Sequence, residues 1–126
     1  MSATEPKIPG PDHPITVEPH PARVRVSVGE HVIADTANAL ALHEAGHAVA
    51  LYLPLGDLDQ STLVASETTT YCPYKGTASY YSIRTENADV ADAIWYYPEP
   101  YDAVSQIAGH AAFYPDRVQI DEGHGS

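Results

Sequence analysis

The chain has 126 residues, about one domain's worth, and its 6 Lys and Arg against 17 Asp and Glu give a formal charge of −11. A single cysteine, Cys72, excludes an intrachain disulfide and a four-cysteine zinc site. Six scattered basic residues do not form the cluster that neutralises a phosphate backbone, so no nucleic-acid partner is expected.

Residues 1–14 are rich in proline (Pro6, Pro9, Pro11, Pro14), which fixes φ and removes donors, so they read as an extended arm. The domain proper is expected over 15–120, with a polar tail at 121–126. Ile15 and Val17 alternate with polar residues, and Val24, Val26 and Val28 share one face of a strand. Gly29-Glu30 then reads as a two-residue type II′ hairpin loop leading into His31-Val32-Ile33-Ala34. Residues 36–53 are ambiguous: 36–45 hold strong helix formers, with Gly46 placed as a helix stop. Val49, Leu51 and Leu53 alternate as a strand that ends at Pro54, and 55–62 is a polar connection. Residues 77–84 and 90–97 read as paired strands around a turn at 85–89, with Pro98 and Pro100 ending the second. One or two helical turns are expected at 102–108, then short strands at 110–114 and 117–120. This pattern is that of a mainly-β domain. No segment reaches the roughly 18 apolar residues of a membrane span. Residues 1–21 hold no apolar stretch of signal-peptide length. No membrane partner and a cytoplasmic location are therefore expected.

Three features bear on chemistry. His43-Glu44-Ala45-Gly46-His47 has the H-E-x-x-H spacing that, on a helix, sets two histidines over one zinc ion with a glutamate to activate water. It is similar here to the membrane-bound ATP-dependent zinc proteases. No third ligand follows at the extended spacing, and Gly46 and Pro54 interrupt the helix, so no metal or other cofactor is expected. The alternative is a helix end with solvent-facing His43 and His47. The second feature is the segment Thr70-Tyr71-Cys72-Pro73-Tyr74-Lys75-Gly76. Pro73 holds Cys72 extended, Gly76 permits a sharp turn, and Lys75 is expected to reach back and favour the thiolate. The alternative is an inert cysteine in a turn. The third is nine Tyr against one Phe and one Trp, either strand composition or the hydroxyl-bearing walls of a half-wet pocket.

The chain also resembles the domain of unknown function 427 family over nearly its whole length. The motifs that carry the resemblance include Ile15-Thr16-Val17-Glu18-Pro19, Glu44-Ala45-Gly46, Tyr52-Leu53-Pro54, Thr70-x-Cys72-Pro73-Tyr74-Lys75-Gly76-x-Ala78-x-Tyr80, Ala93-x-Trp95-x-Tyr97 and Ala112-Phe113-Tyr114-Pro115. The resemblance implies a compact β-tent-like domain of short antiparallel strands in two packed sheets. The related folds hold zinc with cysteine pairs, which this chain lacks. The family pattern includes Glu44 and Gly46 but not His43 and His47. The nucleotidyltransferase label sometimes attached to the family finds no Gly-rich phosphate loop here.

Two functions follow as expectations, with a zinc hydrolase using His43, Glu44 and His47 as a disfavoured third. The first is binding, with or without catalysis, of a small molecule in a pocket. Catalytic roles fall to Cys72 as nucleophile or redox centre, Lys75 as partner of an anionic group, and Glu44 as proton carrier if burial raises its pKa. Tyr74, Gly76, Tyr80, Trp95 and Tyr114 line the ligand site. The second is an interaction module or homodimer, with Tyr96, Tyr97 and Tyr101 near Pro98 and Pro100 as an aromatic contact surface.

Overall fold

The computed structural model describes residues 7–11 and 13–122. Ten strands run in chain order: β1 (Ile15–Pro19), β2 (Val24–Val28), β3 (His31–Thr36), β4 (Leu40–Glu44), β5 (Ala50–Pro54), β6 (Leu63–Cys72), β7 (Gly76–Arg84), β8 (Asp89–Tyr96), β9 (His110–Phe113) and β10 (Gln119–Glu122). They form a seven-stranded sheet in the order β1-β4-β5-β9-β8-β7-β6 and a three-stranded sheet in the order β10-β2-β3. Every pairing between them is antiparallel. The helical content of the described residues is three 3₁₀ stretches, Leu55–Asp57, Gln60–Thr62 and Asp102–Ile107. The mainly-β, two-sheet architecture is therefore the one expected.

The β2–β3 hairpin follows from its loop. Val28 pairs with His31 across Gly29-Glu30. Gly29 takes φ +58 while Glu30 stays at negative φ, the type II′ pattern that matches strand twist. The helix expected over 36–45 does not form. Thr36 ends β3: its hydroxyl donates to Asp57 Oδ2 at 2.7 Å and accepts the Asn38 amide at 2.9 Å. Leu40–Glu44 is then clamped as a strand between β1 and β5, with Leu42 opposite Val17 and Leu40 opposite Tyr52. Helix propensity among these residues differs by less than about 0.7 kcal/mol per position, too little to compete with pairing on both sides and burial of Ala41 and Leu42. Gly46 does break the chain, at φ +75, but in a turn closed by the His47 amide on the Glu44 carbonyl at 3.0 Å.

At both ends the described chain pairs with the rest of the domain. Lys7, His13 and Pro14 hydrogen-bond to the rest of the domain. The Lys7 amide donates to the Pro73 carbonyl at 2.8 Å, Gly10 bridges His13, and the Ala45 amide donates to the Pro14 carbonyl at 3.1 Å. Asp121 and Glu122, expected in the tail, complete β10 opposite Arg25 and Val24. Residues 1–6, 12 and 123–126 of the expected arm and tail lie outside the described residues.

At its centre, on β5, β8 and β9, the large sheet is buried on both faces, and the two-residue period of its strands separates two clusters. Leu53, Ile94, Ala111 and Phe113 join Val24, Val26, Ile33 and Ala34 of the small sheet in an aliphatic core. Their neighbours in sequence, Tyr52, Trp95, Ala112 and Tyr114, turn the other way. They gather with Leu42, Tyr80 and Tyr97 around Val104 and Ile107 of the last 3₁₀ stretch.

Candidate functional site

The Cys72 segment is a hairpin loop. Cys72 pairs with Gly76 at the end of β6 and β7, and the Lys75 amide donates to the Cys72 carbonyl at 3.2 Å. Gly76 sits at φ +114, and a Cβ there would stand 3.3 Å from the Glu99 carbonyl oxygen. Glycine thus lets residues 99–101 close over the loop, where the Tyr101 amide donates to the Lys75 carbonyl at 3.1 Å. The closure leaves Lys75 only 9% exposed.

A buried ammonium needs a partner. Lys75 Nζ donates to Glu44 Oε1 at 2.6 Å. The other carboxylate oxygen, Oε2, is 2.7 Å from His13 Nε2 and 3.9 Å from His47 Nε2. The His13 ring is stacked on Tyr74 with centroids 4.1 Å apart. Burial pushes the Glu44 carboxyl up, but the hydrogen bonds from Lys75 and His13 and the charge of Lys75 outweigh it, so its pKa lies below the ordinary 4.5. The raised pKa on which the proton-carrying role of Glu44 is conditional is thus offset by Lys75 and His13. The pairing also redirects Lys75, whose ammonium bonds to Glu44 and makes no hydrogen bond to the Cys72 thiol.

Glu44 and Lys75 line a cavity of about 650 Å³. Its aromatic wall is Tyr52, Tyr80, Trp95, Tyr97 and Tyr114, and Val24, Val26 and Ile120 of the small sheet add an aliphatic side. Trp95 and Tyr114 are 4.6 Å apart between ring centroids, and Tyr52 meets Trp95 edge-on at 6.1 Å. Trp95 Nε1 donates to the Tyr52 hydroxyl at 3.0 Å. The Tyr80 hydroxyl is shared with Thr70 Oγ1 at 2.9 Å and with the Tyr114 hydroxyl at 3.3 Å. Burial raises the phenol pKa of Tyr52 and of Tyr97 and, with the Tyr80 hydrogen bond, pushes Tyr114 up to about 12.

Of the residues expected at a site, Glu44, Lys75, Tyr80, Trp95 and Tyr114 line the cavity. Cys72, Tyr74 and Gly76 do not: Cys72 is half-buried beside the aromatic cluster, Tyr74 supports His13, and Gly76 shapes the loop. Of the three tyrosines expected on a contact surface, one is buried and two are half-buried. Tyr97 is buried, Tyr96 stacks on Tyr81 at 5.0 Å, and the Tyr101 hydroxyl meets that of Tyr71 at 2.9 Å. The H-E-x-x-H residues are not on a helix. His43 leaves β4 toward Glu18 at 3.2 Å, and among the described residues no group of three or more His, Cys, Asp or Glu is placed to hold a metal ion.

Sequence reasoning missed Tyr52, Tyr97, Thr70 and His13. Tyr52 stands between Leu51 and Leu53, so the alternation already put it on the opposite face from the leucines. His13 has no signal within its proline-rich surroundings.

No curated protein matches the chain by sequence. A family model described as a domain of unknown function, DUF427, matches residues 16–123. That span holds both sheets and every cavity residue named above, and on it the chain belongs to the DUF427 family.

Proposed function

We propose that this chain is a small-molecule-binding domain whose site is the aromatic cavity with the Lys75–Glu44 pair at its edge. The observation that carries this reading is the cavity itself. About 650 Å³ is the size that takes a small organic ligand, and apolar and aromatic walls with a few converging polar groups are the usual lining of such sites. A pair of ionised groups held at 2.6 Å supplies fixed polarity beside flat ring faces.

The chain contains its own reporter. Trp95 is its single tryptophan and lies in the cavity wall, so its emission reads occupancy. Ala50 also lines the cavity and is half-buried, so Ala50→Phe places a ring in that space. A fragment screen read by Trp95 emission is expected to give saturable binders that Ala50→Phe weakens by about tenfold or more, the loss of roughly 1.4 kcal/mol of contact. A screen without saturable binders, or binders that Ala50→Phe leaves unaffected, would remove the cavity as the site.

A further inference from the structure

We infer that the cavity takes an uncharged, planar ring compound bearing a hydrogen-bonding group, and discriminates against anions such as carboxylates and phosphates. The inference rests on the cavity being the binding site and adds what that site selects.

Lys75 is the one Lys or Arg among the described residues that line the cavity, and its ammonium is already bonded to Glu44 at 2.6 Å. An anion that took Lys75 would leave the Glu44 carboxylate without its strongest partner and facing a like charge. In surroundings this apolar, both effects are costly. A cation competing for Glu44 meets the same obstacle from Lys75. No Arg among the described residues lines the cavity. Arg23 and Arg25 bond to Asp35, at 2.7 and 3.4 Å, and Arg84 bonds to Asp89 at 2.9 Å. Arg117 lies over the Tyr114 ring outside the cavity lining and donates to the Ala91 carbonyl at 2.7 Å. The phosphates of a nucleotide therefore find no unpaired cation among the described lining residues.

Neutral recognition has a specific anchor. Tyr97 is 6% exposed and lines the cavity, and its hydroxyl is not tied up in any of the side-chain hydrogen bonds of the aromatic wall. Trp95 Nε1 is committed to Tyr52, and Tyr80 and Tyr114 share their hydroxyls with each other and with Thr70. The Tyr97 hydroxyl is thus the open neutral donor and acceptor in the aromatic wall. An amide, a ring N–H or a hydroxyl on a flat ligand satisfies it without disturbing the Lys75–Glu44 pair.

Benzamide, benzoate and benzamidinium have nearly one shape and differ in charge. Their affinities for the native chain are compared by Trp95 emission at about pH 8, where free imidazole is neutral. Benzamide is expected to bind at least about tenfold tighter than either ion. Benzoate or benzamidinium binding as tightly as benzamide would overturn the inference. So would no binding by any of the three while the fragment screen still finds Ala50→Phe-sensitive ligands, a result that leaves the binding-site reading intact. Glu44→Gln frees Lys75 and is expected to move the benzamide-to-benzoate preference about tenfold toward benzoate; an unchanged ratio in the folded variant counts against the pair as selector. Tyr97→Phe is expected to weaken benzamide about three- to tenfold, one neutral hydrogen bond, with the melting temperature unmoved. Unchanged affinity would remove Tyr97 as the anchor.

Discussion

The two faces of the seven-stranded sheet come from the same strands yet do different work. On β5, β8 and β9 the aliphatic face receives Leu53, Ile94 and Phe113, and the opposite face receives Tyr52, Trp95 and, just past β9, Tyr114. Methyl-bearing side chains have no directional needs, so the first face closes against Val24, Val26 and Ile33 by shape alone. The second carries a hydroxyl or N–H on nearly every large residue, each requiring a partner at a fixed distance. Its packing is therefore set by hydrogen-bond geometry, and the cavity lies along the rings so held. The aliphatic core, through Val24, Val26, Leu53 and Phe113, also reaches the cavity, but the hydroxyl and N–H groups that shape it come from the other face.

The comparison is sharpest where a charge is involved. Lys75→Met leaves the Glu44 carboxylate buried with His13 as its nearest partner. Breaking one side of a buried pair costs about 3–5 kcal/mol, and Lys75→Met with Glu44→Gln together are expected to recover most of it. On the aliphatic face, Ile94→Ala costs about 2–5 kcal/mol by cavity formation, and no second substitution restores it by removing a charge. Denaturant unfolding of the four chains checks both statements. An equal loss in the single and double Lys75 variants would show that the pair behaves as packing, like Ile94.

Acid separates the faces without mutation. Glu44 titrates below its ordinary value of 4.5 in the folded chain because of Lys75 and His13, despite burial. A lowered carboxyl pKa contributes stability that is complete above the unfolded value and is lost as pH falls through the folded one. Native chain is therefore expected to lose stability relative to Glu44→Gln as pH drops below 4.5, and Ile94→Ala is expected to track the native slope. The alkaline side runs the other way. Tyr114, raised to about 12 from 10.0, favours the folded chain below pH 10 and loses that contribution as pH rises through its folded value.

The sequence shows the aliphatic face more fully than the aromatic one, for a physical reason. Alternation of Val24, Val26 and Val28 and a Gly-X loop specify a strand, a turn and a return with local information only. The pairing of Glu44 with Lys75 joins residues 31 apart through β4 and the β6–β7 loop, and no local pattern encodes it. The helix expected at 36–45 failed for the same reason, since only the neighbours β1 and β5 make that stretch a strand. Tyr97 was misread as surface because Pro98 follows it, although its place two residues after Trp95 put both on one face. Glu44, Lys75, Tyr80, Trp95 and Tyr114 were all legible as chemistry-bearing residues. What the sequence did not carry was the partner of each.

The smallest expected effect tests the difference within the aromatic face itself. Tyr80→Phe removes a hydroxyl that Thr70 and Tyr114 both use, so two polar groups lose a partner and stability falls by about 1 kcal/mol. Tyr97→Phe removes a hydroxyl outside the side-chain hydrogen bonds of the wall, so the fold is expected to change by less than about 0.5 kcal/mol. Both substitutions delete one oxygen from a buried tyrosine on the same wall. A matching loss in the two variants would mean that the Tyr97 hydroxyl serves the fold as the Tyr80 hydroxyl does. A loss confined to Tyr80→Phe leaves the Tyr97 oxygen with no structural task and free to meet a ligand in the cavity it lines.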